Sequence, residues 1–147
     1  MKIISKVGIC ILSIFAISFL LQSCTKAEEE FVHTTNTISQ MVCKASHTSG
    51  EFLGTIYEYN AEGQQMSGSF TKEEIEGGYG VILFAIPKSL EKDFDLTKVY
   101  LIATVTYDEF ITPSLSGRHD ISGEGIIIKV ESGIGTTREY RVRGYYE

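Results

Sequence analysis

The chain has 147 residues, 43% hydrophobic and 22% charged, with 19 acidic against 13 basic side chains and a formal charge of −6. That acidic balance argues against nucleic acid as a partner and against charge-driven binding to anionic head groups, and the apolar content is that of a chain able to bury a core.

Residues 1–6 carry Lys2 and Lys6 and no acid, and residues 7–21 form an apolar run broken only by Gly8, Ser13 and Ser18. These are the charged and hydrophobic regions of an export signal. A permanent span needs about 20 apolar residues to cross about 30 Å of hydrocarbon, so a cleaved signal is expected. The run stops at Leu20-Leu21-Gln22-Ser23-Cys24. This stretch resembles the lipobox of bacterial lipoproteins, with Leu21 three positions before the cysteine, small Ser23 immediately before it and Cys24 as acceptor. Gln22 stands where a small or β-branched residue is commonest.

The resemblance implies that residues 1–23 are removed, that the Cys24 thiol is alkylated and that its new amine is acylated. The alternative is a soluble secreted protein cut near Ser23. Each buried CH₂ of an acyl chain contributes about 0.8 kcal/mol, so several chains would hold the protein at a membrane essentially permanently. Loss of Lys2 and Lys6 leaves 11 basic against 19 acidic side chains, a charge of −8. With Cys10 in the signal and Cys24 lipidated, Cys43 has no partner within the chain. It is expected in the core, where cysteine behaves as a small hydrophobe, rather than as a redox or nucleophilic thiol.

Residues 24–37 comprise the lipidated cysteine and a polar, acidic tether. Glu28-Glu29-Glu30 resembles the acidic tag that sends some Bacteroides-type lipoproteins to the outer face of the outer membrane, although solvation explains three glutamates equally well. Residues 38–147 then make one domain of short β-type runs punctuated by glycine.

Residues 38–45 form the first run and residues 52–59 the second. Residues 79–86 are nearly continuously apolar, as expected of a strand covered on both faces, and Pro87 ends them. Residues 98–107 place Val99, Leu101, Ala103, Val105 and Tyr107 on one face. Residues 64–70 are a weaker candidate. Residues 125–131 alternate Ile126, Ile128 and Val130 against Ile127, Lys129 and Glu131, and after a turn residues 138–144 alternate Tyr140 and Val142 against Glu139, Arg141 and Arg143. This last pair reads as a hairpin with one buried and one wet face.

Helix has little room. Thr71 and Glu74 have the spacing of a capping box, and Gly77-Gly78 limits that helix to about one turn; residues 89–96 allow another. The pattern predicts an all-β, antiparallel sandwich of about seven to eight strands rather than βαβ units.

Within residues 96–142, the loop Thr112-Pro113-Ser114-Leu115-Ser116-Gly117 and the hairpin turn Ser132-Gly133-Ile134-Gly135-Thr136-Thr137 resemble a module of a Bacteroides-type lipoprotein family of unknown function. Gly-Ile-Gly stands where that family has Asp-Gly, and Arg118-His119-Asp120 occupies the spacer between loop and hairpin. The resemblance implies an immunoglobulin-like sandwich at the cell envelope. It implies no activity.

Asp93 and Asp95 are a solvated turn before they are a calcium site, because no glycine-punctuated run of alternating acids follows. His33, His47 and His119 lack ligand spacing, no nucleophile elbow occurs, and no glycine-rich loop opens a phosphate-binding helix. The expectation is a protein that is not an enzyme and carries no metal or cofactor.

Eight tyrosines and no tryptophan suggest half-buried rings with wet hydroxyls, and a recognition face is the functional alternative. Its candidates are Tyr57, Tyr59, Tyr145 and Tyr146, with Arg118 and His119 in the polar loop of residues 112–124 and a second loop at residues 58–67. The function expected is a non-catalytic binding or adhesion module at the outer membrane, its partner a glycan or protein. The alternatives are a structural subunit of an envelope complex or a polysaccharide-acting hydrolase.

Overall fold

A computed structural model of the chain describes residues 33–68 and 70–147. The signal, Cys24 and the first part of the tether lie outside these residues. The described chain is an all-β sandwich of two sheets. Its strands are β1 (Gln40–Lys44), β2 (Phe52–Leu53), β3 (Thr55–Tyr59), β4 (Gln65–Met66), β5 (Tyr79–Ile86), β6 (Tyr100–Thr104), β7 (Phe110–Thr112), β8 (Ile126–Glu131) and β9 (Thr137–Tyr146). The smaller sheet has the order β2-β1-β6 and the larger β4-β3-β5-β9-β8-β7.

Residues 52–59, expected as one strand, serve both sheets. Phe52 and Leu53 pair with β1, whereas Thr55 to Tyr59 pair with β5. The crossing is made at Gly54, whose N–H donates to the Met41 carbonyl at 2.8 Å. A Cβ at this point would stand 2.8 Å from Ile82 Cγ2 and 3.0 Å from the Phe84 ring, so only glycine lets the strand pass between layers.

Two further expectations are corrected. β5 is not covered on both faces: Ile82, Phe84 and Ile86 are fully buried while Tyr79 is 44% exposed, and Val81, Leu83 and Ala85 are half-buried. The pairing is also not wholly antiparallel, because β9 runs parallel to β5, with Ile82 opposite Val142. The hairpin of β8 and β9 has the anticipated faces, burying Ile128, Val130, Tyr140 and Val142. β7, which pairs with β8, is only three residues long and is a strand beyond the runs expected from the sequence; it includes Thr112, expected as the first residue of a loop.

Helix is confined to short pieces. α1 (Lys72–Ile75) carries the reciprocal capping box: the Thr71 N–H donates to Glu74 Oε2 at 2.7 Å, and the Glu74 N–H donates to Thr71 Oγ1 at 3.3 Å. A 3₁₀ turn follows β5 at Lys88–Leu90.

The core lies between the sheets and includes Ile38, Met41, Cys43, Phe84, Val99, Leu101 and Ile121. Burial pushes the Cys43 thiol up to about 12, so thiolate is scarce at neutral pH. In the native protein Cys43 should resist a maleimide for hours and react once the chain is denatured. Peptide mapping that finds Cys43 rapidly alkylated in the folded state would contradict this.

The described end of the tether is docked onto the domain. Asn36 is fully buried, and the Thr37 N–H donates to Glu109 Oε1 at 3.1 Å. His33 donates from its backbone to Asp108 Oδ2 at 3.1 Å, and its Nδ1 lies 3.0 Å from Asp108 Oδ1. Residues 33–37, expected as linker, therefore belong physically to the sandwich.

Candidate binding face

The outer face of the larger sheet follows from the two-residue alternation of its strands. On β9, Arg138, Tyr140, Val142 and Gly144 are buried, while Glu139, Arg141, Arg143 and Tyr145 point outward. Strand pairing carries this parity across the sheet. Tyr59 is opposite Tyr79, Tyr79 opposite Glu139 and Glu139 opposite Lys129. One row further along, Tyr57 is opposite Val81, Val81 opposite Arg141 and Arg141 opposite Ile127.

The rings of Tyr59 and Tyr79 stack with centroids 5.0 Å apart and planes 13° from parallel. Beside Tyr79 lies a depression of about 240 Å³ lined by Tyr79, Gly80, Val81, Ile127, Glu139 and Arg141 together with Tyr140. Ile127 is 49% exposed. Arg141 Nη1 donates to the Glu124 carbonyl at 2.9 Å and approaches Glu124 Oε2 at 3.4 Å, which ties the guanidinium to the loop before β8.

Beneath this face, between the sheets, is a polar cluster centred on Arg138, which is 1% exposed. Its Nη1 donates to the carbonyls of Tyr59 at 2.6 Å and Tyr79 at 3.2 Å. Its Nη2 donates to those of Glu74 at 2.9 Å and Ile75 at 3.1 Å. Nε reaches Asn36 Oδ1 at 3.4 Å, and Nη1 lies 3.4 Å from Glu58 Oε2. The Tyr140 hydroxyl donates to Glu58 Oε1 and accepts from the Ile38 N–H at 3.1 Å. One guanidinium thus joins the ends of β3, β5 and α1 to the docked tether, and it holds the backbone of Tyr79 where the face begins.

Burial raises the Glu58 carboxyl above its ordinary value of 4.5, against the opposing pull of the Tyr140 phenol and the Arg138 charge. A raised folded-state pKa means that the native state keeps this proton to higher pH than the unfolded chain does. Its stabilisation is therefore complete below the unfolded value and declines as pH rises through the folded one. Glu58→Gln should remove that decline, so that urea midpoints of the variant gain on the wild type as pH is raised from about 4 upward. Parallel curves would show that Glu58 does not titrate in this window.

The anticipated recognition residues are distributed among several places. Tyr57 and Tyr59 lie on the outer face of the larger sheet. Tyr145 shares that face at its far end, opposite Ala85. Tyr146 has the reverse parity: it packs against the core and its hydroxyl donates to the Phe94 carbonyl at 2.6 Å. Arg118 lies in the loop between β7 and β8 and packs against Tyr100 of the smaller sheet, its Nε 3.3 Å from the Tyr100 hydroxyl and its guanidinium carbon 5.5 Å from that ring's centroid. His119 bridges to Val99 through its backbone, and its side chain is half-buried. The loops also separate: Asp108 and Glu109 hold residues 33–37, Asp120 caps Ser122, and Glu124 meets Arg141. Tyr79 and Ile127 were not singled out from the sequence, since their juxtaposition depends on a register between distant strands.

Among the described residues no helix is long and apolar enough to cross a membrane, and no group of three or more His, Cys, Asp or Glu side chains is arranged to hold a metal ion. No family model matches the chain, and no curated protein matches it. Among solved structures, the chain is similar to one described as a "putative secreted protein" from Bacteroides fragilis NCTC 9343, with a TM-score of 0.43 and 12% identity, covering 80% of this chain and 98% of that one.

Proposed function

We propose that this protein is an exported, lipid-anchored binding module of the cell envelope, held by Cys24 at the outer membrane and recognising a glycan or protein through the outer face of its larger sheet. The signal and lipobox-like residues support the location. The observation that carries the binding role is the contiguous outward-facing patch formed by two adjacent rows, in which Tyr57, Tyr59 and Val81 are half-buried and Tyr79 and Ile127 exposed, interleaved with Glu139 and Arg141. Aromatic and aliphatic groups with charged neighbours supply contact area and orientation together. The proposed role is non-catalytic.

Three measurements test it. Mass spectrometry after membrane extraction should find Cys24 as a lipidated N-terminus; an unmodified, freely secreted product would remove the anchor. Protease added to intact cells should remove the domain if it is displayed outward. Glycan and protein arrays should yield a ligand for the wild type that a Tyr59→Ala/Tyr79→Ala variant loses, and equal binding by both proteins would move recognition to another surface.

A structural role in an envelope complex is the second reading, favoured by one feature. On the outer face of the smaller sheet, Leu53, Val42 and Ile102 pair across three strands, with Leu53 64% and Ile102 49% exposed. This reading predicts a co-purifying partner released by Ile102→Asp, and a monomer in detergent extracts would retire it.

A further inference from the structure

We propose that the depression between Tyr79 and Ile127 is a subsite for one uncharged pyranose ring of a polysaccharide, a ligand class that rests on the binding-module reading above. At about 240 Å³ it falls below the roughly 300–1,000 Å³ of pockets that take drug-sized molecules, so it suits a single ring rather than a larger ligand. One wall is the Tyr79 ring. Tyr59 stacks on the other side of that ring, 5.0 Å away, and so restrains it; a restrained aromatic loses little rotamer freedom on binding. The opposite wall is Ile127. The apolar carbon–hydrogen face of a sugar matches such walls.

The floor supplies the matching polar groups. Glu139 and Arg141 project outward from alternate positions of β9 and line the same depression. A carboxylate accepts from sugar hydroxyls and a guanidinium donates to hydroxyl or ring oxygens. The local charge selects against ionic ligands. Around the slot Lys129, Arg141 and Arg143 face Glu124, Glu131 and Glu139, with Lys129 3.4 Å from Glu131 and Arg141 3.4 Å from Glu124. The patch therefore carries no net formal charge on a chain whose total is −6. An acidic sugar would meet Glu139 as well as Arg141, and a basic peptide Arg141 as well as Glu139, so neither gains a net attraction in the slot. An apolar peptide segment would cover the Glu139 carboxylate and the Arg141 guanidinium, which is tied to Glu124, with groups that cannot hydrogen-bond them, at a desolvation cost that hydroxyl groups avoid. Tyr57 lies on the row that runs through Val81 to Arg141, a position suited to the next residue of a sugar chain.

The test titrates the full-length, detergent-solubilised protein calorimetrically with cellohexaose, xylohexaose, mannohexaose, maltohexaose and laminarihexaose, and with oligogalacturonate as the charged counterpart. At least one neutral hexaose should bind. Tyr79→Ala and Glu139→Gln should each weaken it at least about 10-fold, while Tyr100→Ala on the other sheet leaves it unchanged; circular dichroism verifies the fold of each variant. If a hexaose binds equally well to Tyr79→Ala, the subsite is elsewhere and the binding-module reading stands. Binding of oligogalacturonate alone, or of an array protein alone, overturns the neutral-sugar assignment and again spares the broader reading. If neither the hexaoses nor the arrays yield a ligand, both fall.

Discussion

Replacement of Arg138 by methionine should cost about 3–5 kcal/mol of folding stability, the range seen when a buried, hydrogen-bonded charge loses its counterpart. Methionine approximates the length of the arginine stem but donates nothing. The carbonyls of Tyr59, Tyr79, Glu74 and Ile75 would then be left without this donor, and Glu58 would lose its cationic neighbour. Against a typical total of about 5–15 kcal/mol, such a loss leaves the domain close to unfolding at 37 °C. Arg138→Lys should recover only part of it, since a single ammonium cannot serve two pairs of carbonyls on opposite sides of a planar fork. Adding Glu58→Gln to Arg138→Met should restore some stability by removing the orphaned carboxyl. Urea denaturation gives all these differences; a loss below about 1 kcal/mol in the methionine variant would mean that water substitutes for the guanidinium.

Gly80→Ala should be nearly as damaging, for a different reason. A Cβ at Gly80 would overlap Cδ1 and Cε1 of the Tyr140 ring. That ring is completely buried and its hydroxyl is fixed between Glu58 and the Ile38 N–H. The phenol cannot slide aside without releasing those partners. Overpacking of about 1–3 kcal/mol is then joined by about 1–3 kcal/mol for the broken hydrogen bonds, giving an expected loss near 3 kcal/mol or more. Gly50→Ala is the matched control, because nothing lies within 4 Å of its added methyl, and it should fall within about 0.5 kcal/mol of wild type. Equal thermal midpoints for the two variants would show that the Tyr140 cluster gives way freely.

Local chemistry in this chain is legible from its residues. The capping box at Thr71 and Glu74, the faces of the β8–β9 hairpin and the burial of Cys43 need only near neighbours or the character of one side chain. The same alternation already held two facts that residue type concealed. Arg138 is in phase with Tyr140 and Val142, and so is Tyr146; charge and a polar hydroxyl suggested solvent where parity required the interior. Gly54, visible as an interruption in a strand pattern, marks the change of sheet, but its destination depends on Ile82 and Phe84, which are distant in sequence. The Tyr59–Tyr79 stack and the slot beside it depend on the register of β3 with β5 and of β5 with β9. No periodicity within a single strand encodes such pairings, which is why Tyr79 and Ile127 went unmarked and why Arg118 and Tyr146 were grouped with residues they do not meet.

The position of β9 bears on the order in which the molecule can be assembled. Residues 137–146 fill the space between β5 and β8, so until they arrive the larger sheet is two separate pieces with unsatisfied edges, and Tyr140 and Val142 are missing from the core. Pairing β5 with β9 also closes a loop of more than fifty residues, a slow step in any β-rich chain. A polypeptide threaded through a secretion channel from its N-terminus would thus leave this sheet unformed until β9 had crossed. Of the described strands, the last in chain order is the one that locks the sheet; in the exported protein proposed above, this would keep the chain competent for translocation and confine its folding to the far side of the membrane.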